Sequence, residues 1–223
     1  MWIWQQNDWP NFEYDSEVVM PVLSDVISNV APLVLLANEL DQDKKLMLES
    51  KLLLDEALSS AKIEGEILDR DSVRSSIANR LGIKVGQISR NSEAFIDILL
   101  ESIRSSSNTL TKENLFKWHS MMFLDKPILN DLIIGDYRKS QMKVVSGRFG
   151  KEQVHFEAPC LNYQCIEHEM NIFLDWLQAD NINSGYIKAA IAKFYFVTIH
   201  PFDDGNGRFS RMIAERCLAD AEN

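Results

Sequence analysis

Residues 200–211 read His-Pro-Phe-Asp-Asp-Gly-Asn-Gly-Arg-Phe-Ser-Arg, between an apolar run and a final segment of helical periodicity. Gly205 and Gly207 allow backbone N–H groups to approach an anion closely, and the start of a helix adds further donors and a favourable dipole. Arg208 and Arg211 lie one helical turn apart, a spacing that suits two guanidinium groups to the oxygens of a polyphosphate. The stretch therefore predicts an anion-binding loop at the start of a helix.

Two other side chains give this loop the means for chemistry. Asp204 offers the hard carboxylate oxygen that Mg²⁺ prefers beside phosphates. His200 stands just before the loop and titrates near neutral pH, so it can accept the proton of an attacking hydroxyl as a general base. A metal-bound polyphosphate and a proton acceptor are thus expected at one site.

The loop resembles the signature of the Fic family, His-Pro-Phe-x-Asp/Glu-Gly-Asn-Gly-Arg-x-x-Arg, and matches it at every defined position. The resemblance implies a nucleotidyltransferase, a protein adenylyltransferase that moves AMP from ATP, with Mg²⁺, to a Ser, Thr or Tyr hydroxyl of a target protein or of itself. It implies that His200 is the base acting on that hydroxyl and that Asp204 binds the metal. The nucleotide-binding residues that it implies are Asp204, Gly205, Asn206, Gly207, Arg208 and Arg211.

A second match lies upstream of the loop. Residues 135–138 read Gly-Asp-Tyr-Arg and precede two short β-prone runs, 142–145 and 153–156, with glycines between them that favour a hairpin. This part resembles the family's flap, which implies that one hairpin edge holds an extended target segment by strand addition. Residues 157–159 depart from the commonest pattern, so no target preference carries over. The flap residues implied are Met142, Val144, Val145, Ser146 and Gly147.

The third match is a possible inhibitory motif. Residues 60–65, Ser-Ala-Lys-Ile-Glu-Gly, fit Ser/Thr-x-x-x-Glu-Gly/Asn of the same family, with Ser60, Glu64 and Gly65 at the defined positions. The motif precedes the core, so the chain resembles the class whose inhibitory helix is N-terminal. The Glu64 carboxylate could pair with Arg211 and misplace the terminal phosphate of ATP. In some relatives the same Glu positions water that removes AMP, so a de-AMPylase or a bifunctional enzyme is an alternative, as is a non-catalytic regulatory module.

Helical periodicity dominates the rest of the chain. It predicts helices over 16–41, 43–61, 71–81, 92–104, 162–179, 185–198 and 207–221 and one that starts near residue 111. The fold class is therefore all-α with one short β-hairpin. The Ser-rich stretch 105–109 divides the chain into an N-terminal helical module, 1–105, which carries the inhibitory helix at about 43–65, and a Fic catalytic core, 106–223. That core is expected to be truncated at its C-terminal end, because relatives continue further beyond the loop.

Composition limits the partners and the compartment. The 23 Lys and Arg against 33 Asp and Glu give a formal net charge of −10, which disfavours nucleic acid as a partner. Cys160, Cys165 and Cys217 lack disulfide or metal spacing and are predicted to be free thiols in a reducing compartment, the cytoplasm. No stretch is expected to approach the ~20 apolar residues of a membrane span. The expected partners are ATP and a protein, and a homodimer is left open.

Aromatic residues and the remaining histidines are given structural interpretations. His119, His155 and His168 lack the spacing of metal ligands and are interpreted as packing or surface residues. The aromatic-rich residues 1–15 predict a short extended arm that packs on the body, with tryptophans as anchors.

Overall fold

The computed structural model describes residues 1–82, 90–124, 132–147, 151–179, 182 and 184–221, without the side chains of 90–93. The chain forms two compact units. One contains Met1–Pro10 together with Asp97–Asn223, and the other contains Asn11–Ile96. The sequence-based boundary at residues 105 and 106 stays a prediction.

Among the described residues there are eight α-helices and one antiparallel hairpin, and these confirm the predicted fold class. Most predicted helices begin or end within three residues of the observed bounds. Gly86, which separates the predicted helices 71–81 and 92–104, and Gly150, one of the glycines between the two β-prone runs, lie outside the described residues. The helices are α1 (Ser16–Asn38), α2 (Gln42–Ile63), α3 (Arg70–Arg80), α4 (Arg90–Arg104), α5 (Lys112–Met122), α6 (Tyr163–Gln178), α7 (Gly185–Ile199) and α8 (Asn206–Ala221), and the strands are β1 (Lys143–Ser146) and β2 (Gln153–Glu157).

Side-chain caps explain where several helices begin. The hydroxyl of Thr111 accepts the N–H of Asn114 at 3.2 Å, and the amide oxygen of Asn114 accepts the N–H of Thr111 at 3.1 Å. This reciprocal pair starts α5 where the sequence predicted a helix. Asp41 caps α2 through the N–H of Lys44, and Asn162 caps α6 in the same manner.

The core around the loop is aromatic. Phe173, Phe196, Phe202 and Phe209 are fully buried together with Tyr195. The Phe202 ring lies 5.2 Å from that of Phe209 on α8 and 6.4 Å from that of Phe196 on α7. Phe202 therefore anchors the loop, because moving it would remove a large apolar side chain from the core.

The prediction of three free thiols is wrong for two of them. Cys160 and Cys165 form a disulfide, while Cys217 is a buried free thiol whose pKa is raised to about 11 by burial. Cys160 lies in the loop before α6 and Cys165 lies in its first turn, so the start of the helix brings their Cα atoms to 5.4 Å. That separation permits a disulfide, and a spacing of five residues does not by itself reveal it.

The expectation that no segment approaches a membrane span is also wrong. Helix α1 has 23 residues and an 18-residue window of mean hydropathy 1.8, so by length and composition it could cross a bilayer. Core helices and N-terminal signal segments meet the same criterion. Pro21 and Pro32 lie inside this helix without ending it.

Candidate functional site: a histidine followed by a helix N-terminus

His200 closes helix α7. Its backbone adopts a left-handed conformation, φ 52° and ψ 59°, while its N–H still bonds the Phe196 carbonyl at 3.0 Å. The ring nitrogen Nδ1 lies 3.0 Å from the carbonyl oxygen of Val197. Only a protonated Nδ1 can donate to a carbonyl, so a neutral His200 carries its lone pair on Nε2. The side chain is thereby held in the tautomer whose Nε2 accepts a proton.

The loop between His200 and α8 is closed by Asn206. Its Oδ1 accepts the N–H of Phe202 at 2.9 Å and its Nδ2 donates to the Phe202 carbonyl at 2.8 Å. Asn206 is buried, so both ends of its amide are engaged by the backbone of the loop. Asn206 is a predicted nucleotide-binding residue. Because its side chain is engaged, the group that it can offer to an anion is its backbone N–H at the helix start.

Gly205 makes the tight entry into α8 sterically acceptable. Its φ is +86°, and a Cβ at this position would lie 3.3 Å from Sδ of Met122. Only glycine adopts such a backbone at little cost. The first N–H groups of α8, from Asn206 to Arg208, follow directly and have no acceptor within the helix. These N–H groups are the donors at which the sequence predicts anion binding.

The two predicted arginines lie on the first turns of α8. Arg208 is 6% exposed, and its guanidinium carbon stands 5.6 Å from the centre of the Phe123 ring. Arg211 is half-buried one turn later. The carbonyl of Gly207, the residue before Arg208, accepts the hydroxyl of Ser210 at 2.8 Å, and this bond stabilises the first turn of α8.

The two acidic residues of the loop have different surroundings. Asp203 accepts the N–H of Ile133 at 3.0 Å and so joins the loop to the segment before the flap. Asp204 is exposed, and one of its oxygens accepts the N–H of Gly205 at 2.6 Å. Within the described ranges no three His, Cys, Asp or Glu side chains converge on a metal. A cation at Asp204 would therefore rely on ligand oxygens as well.

Arg138 is a residue whose role the sequence did not reveal. It is completely buried and donates to five backbone carbonyls, with Nε on the His200 oxygen at 2.7 Å. Burial lowers the pKa of Arg138 to about 10, and the negative charge of Asp203 opposes that shift. The guanidinium joins the end of α7 to the segments before β1 and after β2. Its other four acceptors are the carbonyls of Ser140 (2.5 Å), Pro159 (2.7 Å), Cys160 (3.0 Å) and Ile199 (3.3 Å).

His119 is a second supporting residue. Its sequence-based interpretation is a packing or a surface residue; it is fully buried, and its ring stacks on Phe202 at 4.3 Å. Nδ1 accepts the N–H of Gly135 at 2.9 Å, so Nε2 carries the proton and donates to the Asp204 carbonyl at 3.2 Å. Burial lowers the pKa of His119, which keeps the ring neutral in this role. A neutral imidazole thus joins α5, the flap entry and the loop.

The predicted flap is an exposed hairpin. Lys143 pairs with Glu157 and Ser146 with Gln153, and the register shifts between Val144 and Val145. Every residue of β1 is exposed. Of the predicted flap residues, Met142 is half-buried, Val144, Val145 and Ser146 lie in β1, and Gly147 follows β1 with φ +109°.

The predicted inhibitory motif, residues 60–65, forms the end of helix α2, in the unit of residues Asn11–Ile96. Ser60 is buried and Glu64 is the exposed C-cap residue. Gly65 follows with φ +75°, and the N–H of Glu66 bonds the Ala61 carbonyl at 2.9 Å. Helix α2 therefore ends at a glycine as the sequence predicted, with the Glu64 carboxylate at its terminus.

Taken together, the fold and the loop define a helical protein in which a helix start follows closely after a histidine whose Nε2 can accept a proton. Residues 109–218 match the Fic/DOC family, and residues 2–83 match a domain of unknown function, DUF4172. Residues 109–218 are therefore a Fic/DOC family domain.

Individual known proteins also resemble this chain in sequence or in fold. The chain is 27% identical over 166 residues to a protein of Nematostella vectensis named protein adenylyltransferase Fic; the match covers 71% of the chain and 36% of that relative, about a third of its length. A Fic-domain signaling protein of Bacteroides thetaiotaomicron has the same fold, with TM-score 0.69 and 18% identity over 87% of this chain and 72% of that one.

A Fic family protein of Desulfovibrio desulfuricans is a further structural neighbour, with TM-score 0.59 and 22% identity over 94% of this chain and 59% of that one. These structural likenesses concern the fold. The family and the name of the Nematostella relative support an activity of the Fic type, that of a transferase.

Proposed function

We propose that this chain is a protein adenylyltransferase that transfers AMP from ATP to a Ser, Thr or Tyr hydroxyl of a target protein and of itself. The observation that carries the proposal is the bond from Nδ1 of His200 to the Val197 carbonyl, directly before the N-terminus of α8. It supports a base and a phosphate site separated by only a short loop.

The proposed reaction uses the side chains as follows. Nε2 of His200 takes the proton of the target hydroxyl, whose oxygen attacks the α-phosphorus of ATP. The bond from that phosphorus to the bridging oxygen breaks, and pyrophosphate leaves. The first N–H groups of α8, together with Arg208 and Arg211, hold the phosphates, so that catalysis rests on orientation and charge stabilisation.

Mg²⁺ is the proposed cofactor. The exposed carboxylate of Asp204 suits it, because this ion is usually held by one or two protein carboxylates together with phosphate oxygens and water. The ion would neutralise charge on the phosphates. Asp204 would hold it beside the helix start, while the carbonyl of the same residue is kept in place by His119.

We propose regulation by the N-terminal motif, with Glu64 competing for Arg211. The exposed carboxylate at the end of α2 supports this role, because it offers a bidentate acceptor to a guanidinium. The same carboxylate also supports the second candidate, removal of AMP by a Glu64-oriented water. We further propose a cytoplasmic protein that acts on another protein rather than on nucleic acid. The cysteine argument for the cytoplasm falls with the Cys160–Cys165 disulfide, and the proposal rests on the use of ATP.

Labelled ATP tests the proposed activity. The chain, its Glu64→Gly variant and a His200→Ala variant are incubated with Mg²⁺ and ATP labelled at the α or the γ phosphate. We expect protein-bound label from the α position alone, more of it in Glu64→Gly, and none in His200→Ala. Label from the γ position would replace the proposal with phosphorylation.

Two controls complete the assay. Glu56→Gln changes a half-buried acid two turns earlier on α2 and is expected to leave labelling unchanged. A folded Glu64→Gly variant that labels no better than the parent chain would contradict inhibition by Glu64. Release of AMP from labelled protein by the parent chain, and not by Glu64→Gly, would favour AMP removal.

A further inference from the structure

The N-terminal arm, residues Met1–Pro10, belongs to the same compact unit as the loop and the flap. The arm is a short 3₁₀ turn, Ile3–Gln5, where the sequence predicted an extended segment. Gln5 closes the turn, since its Oε1 accepts the N–H of Trp2 at 2.8 Å and its own N–H bonds the Trp2 carbonyl at 3.0 Å. The turn directs two tryptophans to strand β2.

Both tryptophans contact the flap directly. The Trp2 ring meets Phe156 edge-on, with ring centres 5.5 Å apart and planes at 70°. The indole Nε1 of Trp4 donates to the carbonyl oxygen of Glu157 at 2.7 Å. One contact is apolar and the other is a hydrogen bond to the backbone, so the arm touches both a side chain and the main chain of β2.

The bond from Trp4 reaches the open edge of the hairpin. Ala158 donates its N–H across the hairpin to the Met142 carbonyl at 3.0 Å. Because C=O and N–H of one trans peptide point in opposite directions, the Glu157 carbonyl faces away from β1. Trp4 therefore occupies an acceptor that another strand would need in order to pair with β2. By the same geometry the N–H of Lys143 faces outward on β1, where the structure shows an exposed strand.

The other end of the arm is fixed on the helices. The indole of Trp9 donates to Glu169 of α6 at 3.1 Å, and its ring meets Tyr195 of α7 edge-on at 5.1 Å. Tyr195 is fully buried and lies five residues before His200. The arm thus joins β2 to the helix that ends at His200.

We propose that Trp2 and Trp4 are positioning residues that hold the flap in place and close the edge of β2, so that an extended target segment is directed to the edge of β1. This inference rests on the proposed function, in which the flap receives the target. Neither tryptophan touches the reacting atoms. Their loss should therefore weaken use of the target and leave use of ATP unchanged.

Hydrogen exchange tests the arm without any activity. Trp4→Phe keeps an aromatic ring and removes the donor, and Trp2→Ala removes the edge-on contact. We expect the amides of β1, β2 and Ala158 to exchange roughly fivefold faster in each variant, with α6 and α7 unchanged. Trp176→Phe, which alters another half-buried tryptophan on α6, serves as the matched control and should leave flap exchange unchanged. Unchanged flap exchange in both arm variants would overturn the inference, and so would equal acceleration throughout the helices.

A transfer assay tests whether the arm acts through binding of the target. The acceptor is the His200→Ala chain, and the enzyme is the Glu64→Gly chain with or without Trp4→Phe. We expect the KM for the acceptor chain to rise about fivefold, while kcat and the KM for ATP change less than about twofold. A fall in kcat at constant KM would overturn the positioning role. If no chain transfers label, the proposed function fails, and flap exchange alone decides whether the arm holds the flap.

Discussion

Replacing Arg138 by methionine removes five hydrogen bonds from one buried side chain. The acceptors are backbone carbonyls, among them that of His200, and the guanidinium is fully buried. An unsatisfied buried acceptor costs about 1–3 kcal/mol, while removing a charge that burial disfavours recovers part of the loss. We expect the free energy of unfolding to fall by roughly 3 kcal/mol, which corresponds to a Tm lower by about 6–12 °C. Arg138→Lys keeps the charge but has only three donors, so its loss should be intermediate.

The assay for Arg138 is urea unfolding followed by circular dichroism, with heat denaturation as a second measurement. Arg70→Met is the matched control, because Arg70 is about half exposed and its nearest carboxylate oxygen, on Asp55, lies at 3.6 Å. Such a surface pair contributes little, so the control should lose less than about 0.5 kcal/mol. A loss for Arg138→Met below about 1 kcal/mol, or equal to that of the control, would refute the idea that these five bonds hold the loop.

Three further predictions concern the neighbours of this arginine. His119→Phe keeps an aromatic ring on Phe202 but loses both hydrogen bonds. We expect its free energy of unfolding, measured in urea, to be roughly 2 kcal/mol lower than that of the parent chain. Equal stability would contradict the supporting role. Because burial lowers the pKa of His119 from its usual 6.5, the unfolded chain binds a proton that the folded chain does not. The free energy of unfolding should therefore fall as the pH drops below about 6.5, and urea titrations should show a smaller fall in His119→Phe; an identical fall in both would count against it. Gly205→Ala puts a Cβ at φ +86° beside Met122, so calorimetry should show weaker ATP binding and unfolding should show a loss of about 1–2 kcal/mol; normal ATP binding would disprove the tight entry into α8.

The elements that the sequence predicted well depend on local interactions. A helix start such as Thr111 with Asn114 needs residues only three positions apart, and the stop at Gly65 needs one backbone angle. The hairpin likewise follows from two β-prone runs with glycines between them. The loop from His200 to Arg211 was found in full because all its residues are consecutive.

Two features that the sequence did not predict join distant parts of the chain. Arg138 lies 62 residues before His200, whose carbonyl it binds, and in a sequence a lone arginine has the pattern of a surface residue. His119 lies 85 residues before Asp204. Such bonds depend on which backbone carbonyls face the side chain after folding. Every residue has a backbone carbonyl, so the sequence does not mark the ones that will accept these bonds.

The sequence by itself determined the helical class, the hairpin and the order of groups in the loop, because periodicity, caps and a contiguous motif are properties of neighbouring residues. Only the tertiary structure decided that Nδ1 of His200 faces the Val197 carbonyl, that Cys160 meets Cys165, and that Trp4 occupies the edge of β2. Which nitrogen of a histidine carries the proton, which cysteine another cysteine meets and which strand edge a tryptophan reaches all depend on directions in space. Those directions are fixed only when the chain packs.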